Sequence, residues 1–161
     1  MYTPIFHINQ LDGLVLLASV RLRGLFTKAV LYIHTHTEQG ATGIILNHPY
    51  PPVGEIRSYI GGPCAKNTAV LLSPAAGHYL RWQDLSVEEA QDHQNTEGRV
   101  FKGHARWQKQ QLEEEVLAGD WLISAMPPKQ VLALDSVRAY QECVRALNLP
   151  IDKIVEKVGR A

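Results

Sequence analysis

The sequence feature that most constrains the fold is a pair of apolar runs on either side of a polar segment, within residues 26–49. The runs predict strands at 29–34 and 43–47 because both are rich in β-branched and apolar residues. The polar HTHTEQGAT between them contains one glycine, Gly40, so the pattern predicts a long hairpin. Neither run alternates between apolar and polar residues, which indicates two covered faces and a central place in a sheet.

Shorter strands and helices are predicted around this hairpin. Strands are expected at 14–18, 68–72, 79–82, 99–105, 121–125 and 131–134, and helices at 87–91, 108–118, 137–147 and from Pro150 onward. Residues 50–54 are expected to form a loop because Pro51, Pro52 and Gly54 disfavour regular structure. Strands and helices do not follow a βαβ rhythm, so the sequence predicts an α+β fold with a mainly antiparallel sheet.

Length and charge limit the classes of function. The chain has 161 residues, which suits a single domain over residues 1–161. Lysines plus arginines number 16 and so do aspartates plus glutamates, a balance that argues against a general nucleic-acid binder. Cys64 and Cys143 are far apart in sequence and no secretory segment is apparent, so we expect reduced thiols in a cytoplasmic protein. The apolar runs are too short to span a membrane, so we expect no membrane partner.

Four blocks of sequence carry a family resemblance. They are GLVLLAS at 13–19, GATGIILN at 40–47, GGP at 61–63 followed by VLL at 70–72, and GHARW at 103–107 followed by QLE at 111–113. In order and spacing they resemble the AlgH/YqgE family of small bacterial proteins. The resemblance implies a bifurcated, partly barrel-like β-sheet surrounded by helices. It implies no established enzymatic activity and no cofactor, and part of the family has been linked to transcriptional regulation. The region between Pro74 and Gly103 is shorter than is usual in the family.

Two patterns could support catalysis or metal binding. His34 and His36 form an HxH pair, and residues i and i+2 of a strand share a face, so both rings could reach one metal ion. No third ligand follows from local spacing, and we expect the pair to be the polar end of a strand. Cys64 follows a glycine-rich turn, where backbone N–H groups and a histidine could activate a thiol. We expect a half-buried structural residue there, so the prediction is that no residue is catalytic or binds a metal or cofactor.

The sequence therefore predicts a non-enzymatic regulatory or protein-interaction module. The alternative is a small enzyme that uses Cys64 or a histidine cluster. Two loops, 20–28 and 48–57, should be neighbours because they flank the same end of the hairpin. Their candidate partner-binding residues are Arg21, Arg23, Lys28, Tyr50, Pro51, Pro52 and Arg57. Arginine and aromatic side chains are enriched at protein interfaces, so we expect an acidic protein partner, with nucleic acid less favoured.

Overall fold

The structure is a computed structural model that describes residues 7–53, 56–92 and 98–147, with the backbone alone at 51–53, 56–57, 87 and 91–92. The strands in these ranges are β1 Val15–Ala18, β2 Val30–Thr37, β3 Gly40–Ile45, β4 Pro49–Val53, β5 Ile56–Ile60, β6 Cys64–Pro74, β7 Leu80–Leu85, β8 Arg99–Trp107 and β9 Trp121–Ile123. The α-helices are α1 Val87–Asp92, α2 Gln111–Leu117, α3 Pro128–Leu132 and α4 Ala139–Ala146, and a 3-10 helix spans Gly24–Phe26. No described helix is long and apolar enough to cross a membrane.

The central hairpin is formed by β2 and β3. The strands are antiparallel, with Leu31 opposite Ile45 and Thr37 opposite Gly40. The side chains expected to be buried are Val30, Leu31, Ile33, Ile44, Ile45 and Leu46, and all of them are. The predicted pairing is confirmed, but the strands extend through most of the polar segment and leave only a turn at residues 38–39.

Both faces of the hairpin region are covered, as the unbroken apolar runs predict. On β1, which pairs with β2, Val15 and Leu17 lie in one core cluster with residues of α3 and α4. Leu16 and Ala18 face the other way, into a second cluster that contains Leu112 of α2. Because every residue of β1 meets one of the two cores, the strand has no solvent face that would require polar residues.

The sheet divides at β8. Strand order is β4-β5-β8-β3-β2-β1-β9, and β8 also pairs with β6, which in turn pairs with β7. Residues 99–102 and 104 of β8 pair with β6, whereas 105–107 pair with β3. Gly103 stands between the two halves with φ of +73°, and a Cβ there would lie 2.6 Å from the carbonyl oxygen of Gly62. Among the described strands only β5 and β8 pair in parallel, so the predicted α+β class with a mainly antiparallel, bifurcated sheet is confirmed.

Two predicted elements are wrong in type. Residues 50–53, expected to be part of a loop, belong to strand β4. Among the described strands β4 pairs with β5 alone, so it is an edge strand. Prolines are tolerated there because one side of the backbone needs no N–H donor. The expected strand at 131–134 overlaps α3, which starts with Pro128 at its first turn, where a missing N–H costs nothing. The helix expected from Pro150 lies outside the described residues.

Candidate functional site

The two loops that flank the hairpin meet at one end of it. Asn47 joins them: its side-chain oxygen accepts the Val30 N–H at 2.8 Å, and its amide nitrogen donates to the Lys28 carbonyl at 2.9 Å. Next to it, the His48 Nε2 lies 2.6 Å from the Leu25 carbonyl oxygen. The expected adjacency of the loops is confirmed. We call the two loops that carry the seven candidate residues the loop patch; its role in binding stays a prediction.

The cations of the loop patch differ in how they are held. Arg21 turns toward the end of α2, where it donates to the Ala118 carbonyl at 2.8 Å and lies 3.8 Å from an oxygen of Asp120. Arg23 donates only to backbone carbonyls of its own loop. Lys28 is exposed, with a positive φ of 52°. Within the described residues neither Arg23 nor Lys28 has a carboxylate partner, so their charges are available to a binding partner.

Tyr50 provides the aromatic part of the loop patch. The residue is 38% exposed, and the ammonium nitrogen of Lys102 lies 4.9 Å from the centroid of its ring. Lys102 belongs to β8, far along the chain from Tyr50, so no local sequence pattern links the two residues. The backbones of Pro51 and Pro52 continue β4, and that of Arg57 lies in β5; their side chains are outside the described residues.

The HxH pair does not form a common site. A β-bulge between Ile33 and Thr35 breaks the alternation of side chains in β2. His34 stacks on Trp82, with ring centroids 4.4 Å apart, on the face of the sheet that carries the first core cluster. The His36 ring lies on the opposite face. The alternative in which both imidazoles reach one metal ion therefore does not fit the structure. The described residues contain no group of three His, Cys, Asp or Glu residues that could hold a metal.

The structure places Cys64 opposite His104. The two residues are partners in the antiparallel register of β6 and β8, and opposed residues of a sheet share a face. No hydrogen bond joins the Cys64 sulfur to the His104 ring within the described part of the chain. The His104 ring instead makes an edge contact with Trp82, with centroids 6.2 Å apart. Burial lowers the pKa of His104, and the nearby Arg106 lowers it further.

A polar cleft, which the sequence analysis missed, lies at the turn end of the hairpin. It has a volume of about 630 Å³ and is half open to solvent. We call it the turn cleft; its lining residues are Asn9, Gln10, His36, Thr37, Glu38, Lys109, Gln110 and Glu113. Every one of them is polar or charged. Three separate chain segments contribute, so no single stretch of sequence reveals the cleft.

His36 organises one wall of the turn cleft. Its side chain is only 1% exposed. The Leu11 N–H donates to Nδ1 at 2.9 Å, and Nε2 lies 2.6 Å from a carboxylate oxygen of Glu113. Because Nδ1 accepts, the hydrogen-bond network assigns the ring proton to Nε2, which donates to Glu113. Both ring nitrogens are thus occupied, and the imidazole positions a carboxylate rather than acting as a free base.

Comparison with known proteins identifies the family. Residues 15–152 match the sequence profile described as AlgH-like, so the chain belongs to the AlgH-like family, which has no established function. A UPF0301 protein of Coxiella burnetii is 24% identical over 159 residues, which span 84% of this chain and 88% of the relative. A UPF0301 protein of Pseudoalteromonas translucida is 27% identical over 166 aligned positions, which cover 84% of this chain and 90% of the relative.

Two solved structures share the fold. The solution structure of AlgH from Pseudomonas aeruginosa aligns with a TM-score of 0.70 at 21% identity, covering 95% of this chain and 97% of that one. The crystal structure of protein DIP2367 from Corynebacterium diphtheriae aligns with a TM-score of 0.67 at 22% identity, covering 89% and 90%. At these sequence identities the structural similarity establishes a shared fold alone. A function has to be argued from the sites of this chain.

Proposed function

We propose that this chain is a non-enzymatic protein-binding module whose loop patch binds an acidic segment of another protein. One observation carries the proposal: the side chains of Asn47 and His48 hold the two loops together at one end of the hairpin. Arg23 and Lys28 of the first loop therefore lie at the same end of the hairpin as the start of the second loop. A rigid scaffold that presents charged loops is a common arrangement for recognition.

The composition of the loop patch favours an acidic protein over nucleic acid. Val20 and Tyr50 are each 38% exposed, so the first loop exposes an apolar side chain and the second an aromatic one. Interfaces between proteins combine aromatic anchors and arginine in this way. Nucleic-acid binding usually depends on a strongly basic surface, and this chain has no net charge. A regulatory role, including one in transcription, would follow from the identity of the protein that is bound.

The test is a charge reversal of the two cations that lack a carboxylate partner. Arg23→Glu combined with Lys28→Glu should abolish capture of partner proteins from a lysate of the native host, quantified by mass spectrometry. Arg21 is left unchanged because it bonds to the end of α2, so its loss could disturb the fold. The matched control is Lys66→Glu with Arg81→Glu, which has the same change in charge at exposed positions of β6 and β7.

The outcomes separate the proposal from non-specific charge effects. We expect the control to capture the same proteins as the unaltered chain, and we expect their capture to weaken as salt is raised, because exposed charges are screened. All three proteins should show the same melting temperature. Retained capture by the Arg23→Glu, Lys28→Glu variant, equal loss in the control, or no specific capture by the unaltered chain would contradict the proposal.

The alternative function, a small enzyme, has one observation in its favour. Cys64 and His104 come from different strands and meet in register on one face of the sheet. A nucleophile beside a base is the first requirement of covalent catalysis, but a hydrogen bond between them and a group that orients the base are also needed. The described residues show no such bond. We therefore keep the interaction module as the proposed function.

A further inference from the structure

The turn cleft contains a carboxylate whose charge is not balanced by the protein. The Glu113 side chain is 18% exposed, and its described ion-pair partner is His36. The network assigns that ring as neutral, because its Nδ1 accepts the Leu11 N–H. No lysine or arginine among the described residues pairs with Glu113. A mostly buried carboxylate without a cation is costly, and a ligand that supplies the cation would remove that cost.

The opposite charge is present in the same cleft. Lys109 lies in its wall and is exposed, and within the described ranges its ammonium group has no ion-pair partner. A ligand that satisfies Glu113 and Lys109 together must carry a cation and an anion. The other lining groups are amides, a hydroxyl and a second carboxylate, Glu38, so the cleft offers hydrogen bonds rather than apolar contacts.

We propose that the turn cleft binds a small zwitterion that carries a primary ammonium and a carboxylate, namely an amino acid or a short peptide. The ammonium group pairs with Glu113, which His36 holds in place, and the carboxylate pairs with Lys109. The volume of about 630 Å³ lies within the range of small-molecule sites and leaves room for more than one residue of a peptide. This inference uses none of the residues of the loop patch, so the two proposals stand or fall separately.

Matched dipeptides test which charges the turn cleft recognises. Alanyl-alanine, N-acetyl-alanyl-alanine and alanyl-alanine amide are titrated into the ¹⁵N-labelled full chain at constant pH and ionic strength. We expect alanyl-alanine to shift the amide signals of residues 36–38 and 109–113 in a saturable way. Each blocked dipeptide loses one charged contact, worth about tenfold in affinity.

Three single substitutions locate the interaction in the protein. Glu113→Gln removes the charge but keeps an oxygen that can accept from His36, and it should weaken binding about tenfold. Lys109→Gln should weaken it as well. Lys109 has no side-chain hydrogen bond within the described residues, so this second variant retains the fold even if Glu113→Gln does not. Glu114→Gln, an exposed neighbour outside the cleft, is the control and should bind like the unaltered chain.

Several results would overturn the inference. One is the absence of saturable shifts with alanyl-alanine. Another is equal affinity for the acetylated dipeptide, which would show that the ammonium group is not recognised. A third is unchanged affinity in folded Glu113→Gln or in Lys109→Gln. Shifts that map to the loop patch instead of the turn cleft would place any binding elsewhere.

Discussion

At the scale of single residues, Glu115 links α2 to two tryptophans. One of its carboxylate oxygens accepts the indole N–H of Trp107 at 3.2 Å and that of Trp121 at 3.1 Å. The ring of Phe26 packs against both indoles, with centroids 6.4 Å and 5.8 Å away. Phe26 belongs to the first loop of the loop patch. Glu115 therefore fixes two core rings on which that loop rests.

We expect Glu115→Ala to lower the free energy of unfolding by about 1–3 kcal/mol, because two indole donors lose their acceptor in a partly buried place. Glu115→Gln should cost less, since its amide oxygen can still accept. Glu114→Ala is the control on the same helix; it is exposed and should stay within about 0.5 kcal/mol of the unaltered chain. Urea denaturation measures all three, and equal stability of Glu115→Ala and Glu114→Ala would contradict this role.

The two cysteines should differ in reactivity without either being a catalytic nucleophile. Burial raises the pKa of Cys143 to about 11, with a hydrogen bond from Ser124 opposing the rise, so this thiol should be almost inert at neutral pH. Cys64 is half-buried and should react with iodoacetamide no faster than cysteine in an unstructured peptide. The rates are measured on Cys143→Ser and Cys64→Ser. A fast reaction at Cys64 that slows on His104→Gln would instead support the enzymatic alternative.

At the scale of elements, the bulge in β2 decides what its histidines can do. His34 stays on the face of Val30 and Tyr32, where it stacks on Trp82. The bulge turns the residues after it, so His36 lies on the opposite face and bonds to Leu11. Burial lowers the pKa of His34, with the charge of Asp84 opposing the shift. The pKa of His104 is lowered in the same way, by burial first and then by Arg106.

These shifts predict a loss of stability in mild acid. The folded chain binds fewer protons on His34 and His104 than the unfolded chain does once pH falls below about 6.5. Stability from these groups is therefore fully present above that pH and is lost as pH falls through the lowered folded pKa values. We expect the melting temperature to fall between pH 7.5 and pH 5.5, and His34→Gln with His104→Gln to flatten the fall. His7→Gln, at an exposed position, should leave it unchanged; an unaltered slope in the double variant would contradict the assignment.

Elements whose residues carry their own local pattern could be predicted, and elements made by distant pairing could not. The hairpin follows from two apolar runs, and α1 from Ser86, whose hydroxyl accepts the Glu89 N–H at 3.0 Å. The strand β4 exists because β5 pairs with it, a contact that overrides the local preference of its prolines for loops. The bulge in β2 likewise has no sequence signature, so strict alternation predicts one shared face for His34 and His36, which the structure does not have.

The same distinction applies to the sites. The loop patch could be inferred because both of its loops are tied to the hairpin, whose ends follow from chain order alone. The Tyr50–Lys102 contact and the turn cleft could not, because they depend on where β8 and α2 dock.

At the scale of the whole molecule, the two proposed sites lie at opposite ends of one hairpin. The loop patch contains Lys28 and lies next to Asn47, whereas the turn cleft is lined by Thr37 and Glu38. The eight residues of β2 separate them by roughly 25 Å at the usual rise per residue of a strand. The hairpin lies in the centre of the sheet, and a core cluster covers each of its faces. It can therefore support both sites without exposing core side chains to either binding partner.

Amide hydrogen exchange on the complex with a captured protein tests the central claim most directly. We expect exchange to slow in residues 20–28 and 48–53 when the partner is bound, because these segments belong to the loop patch. Residues 36–41, at the other end of the hairpin, should exchange at the same rate with and without the partner. Protection confined to the turn end, or to a face that includes neither loop, would show that the loop patch is not the binding surface.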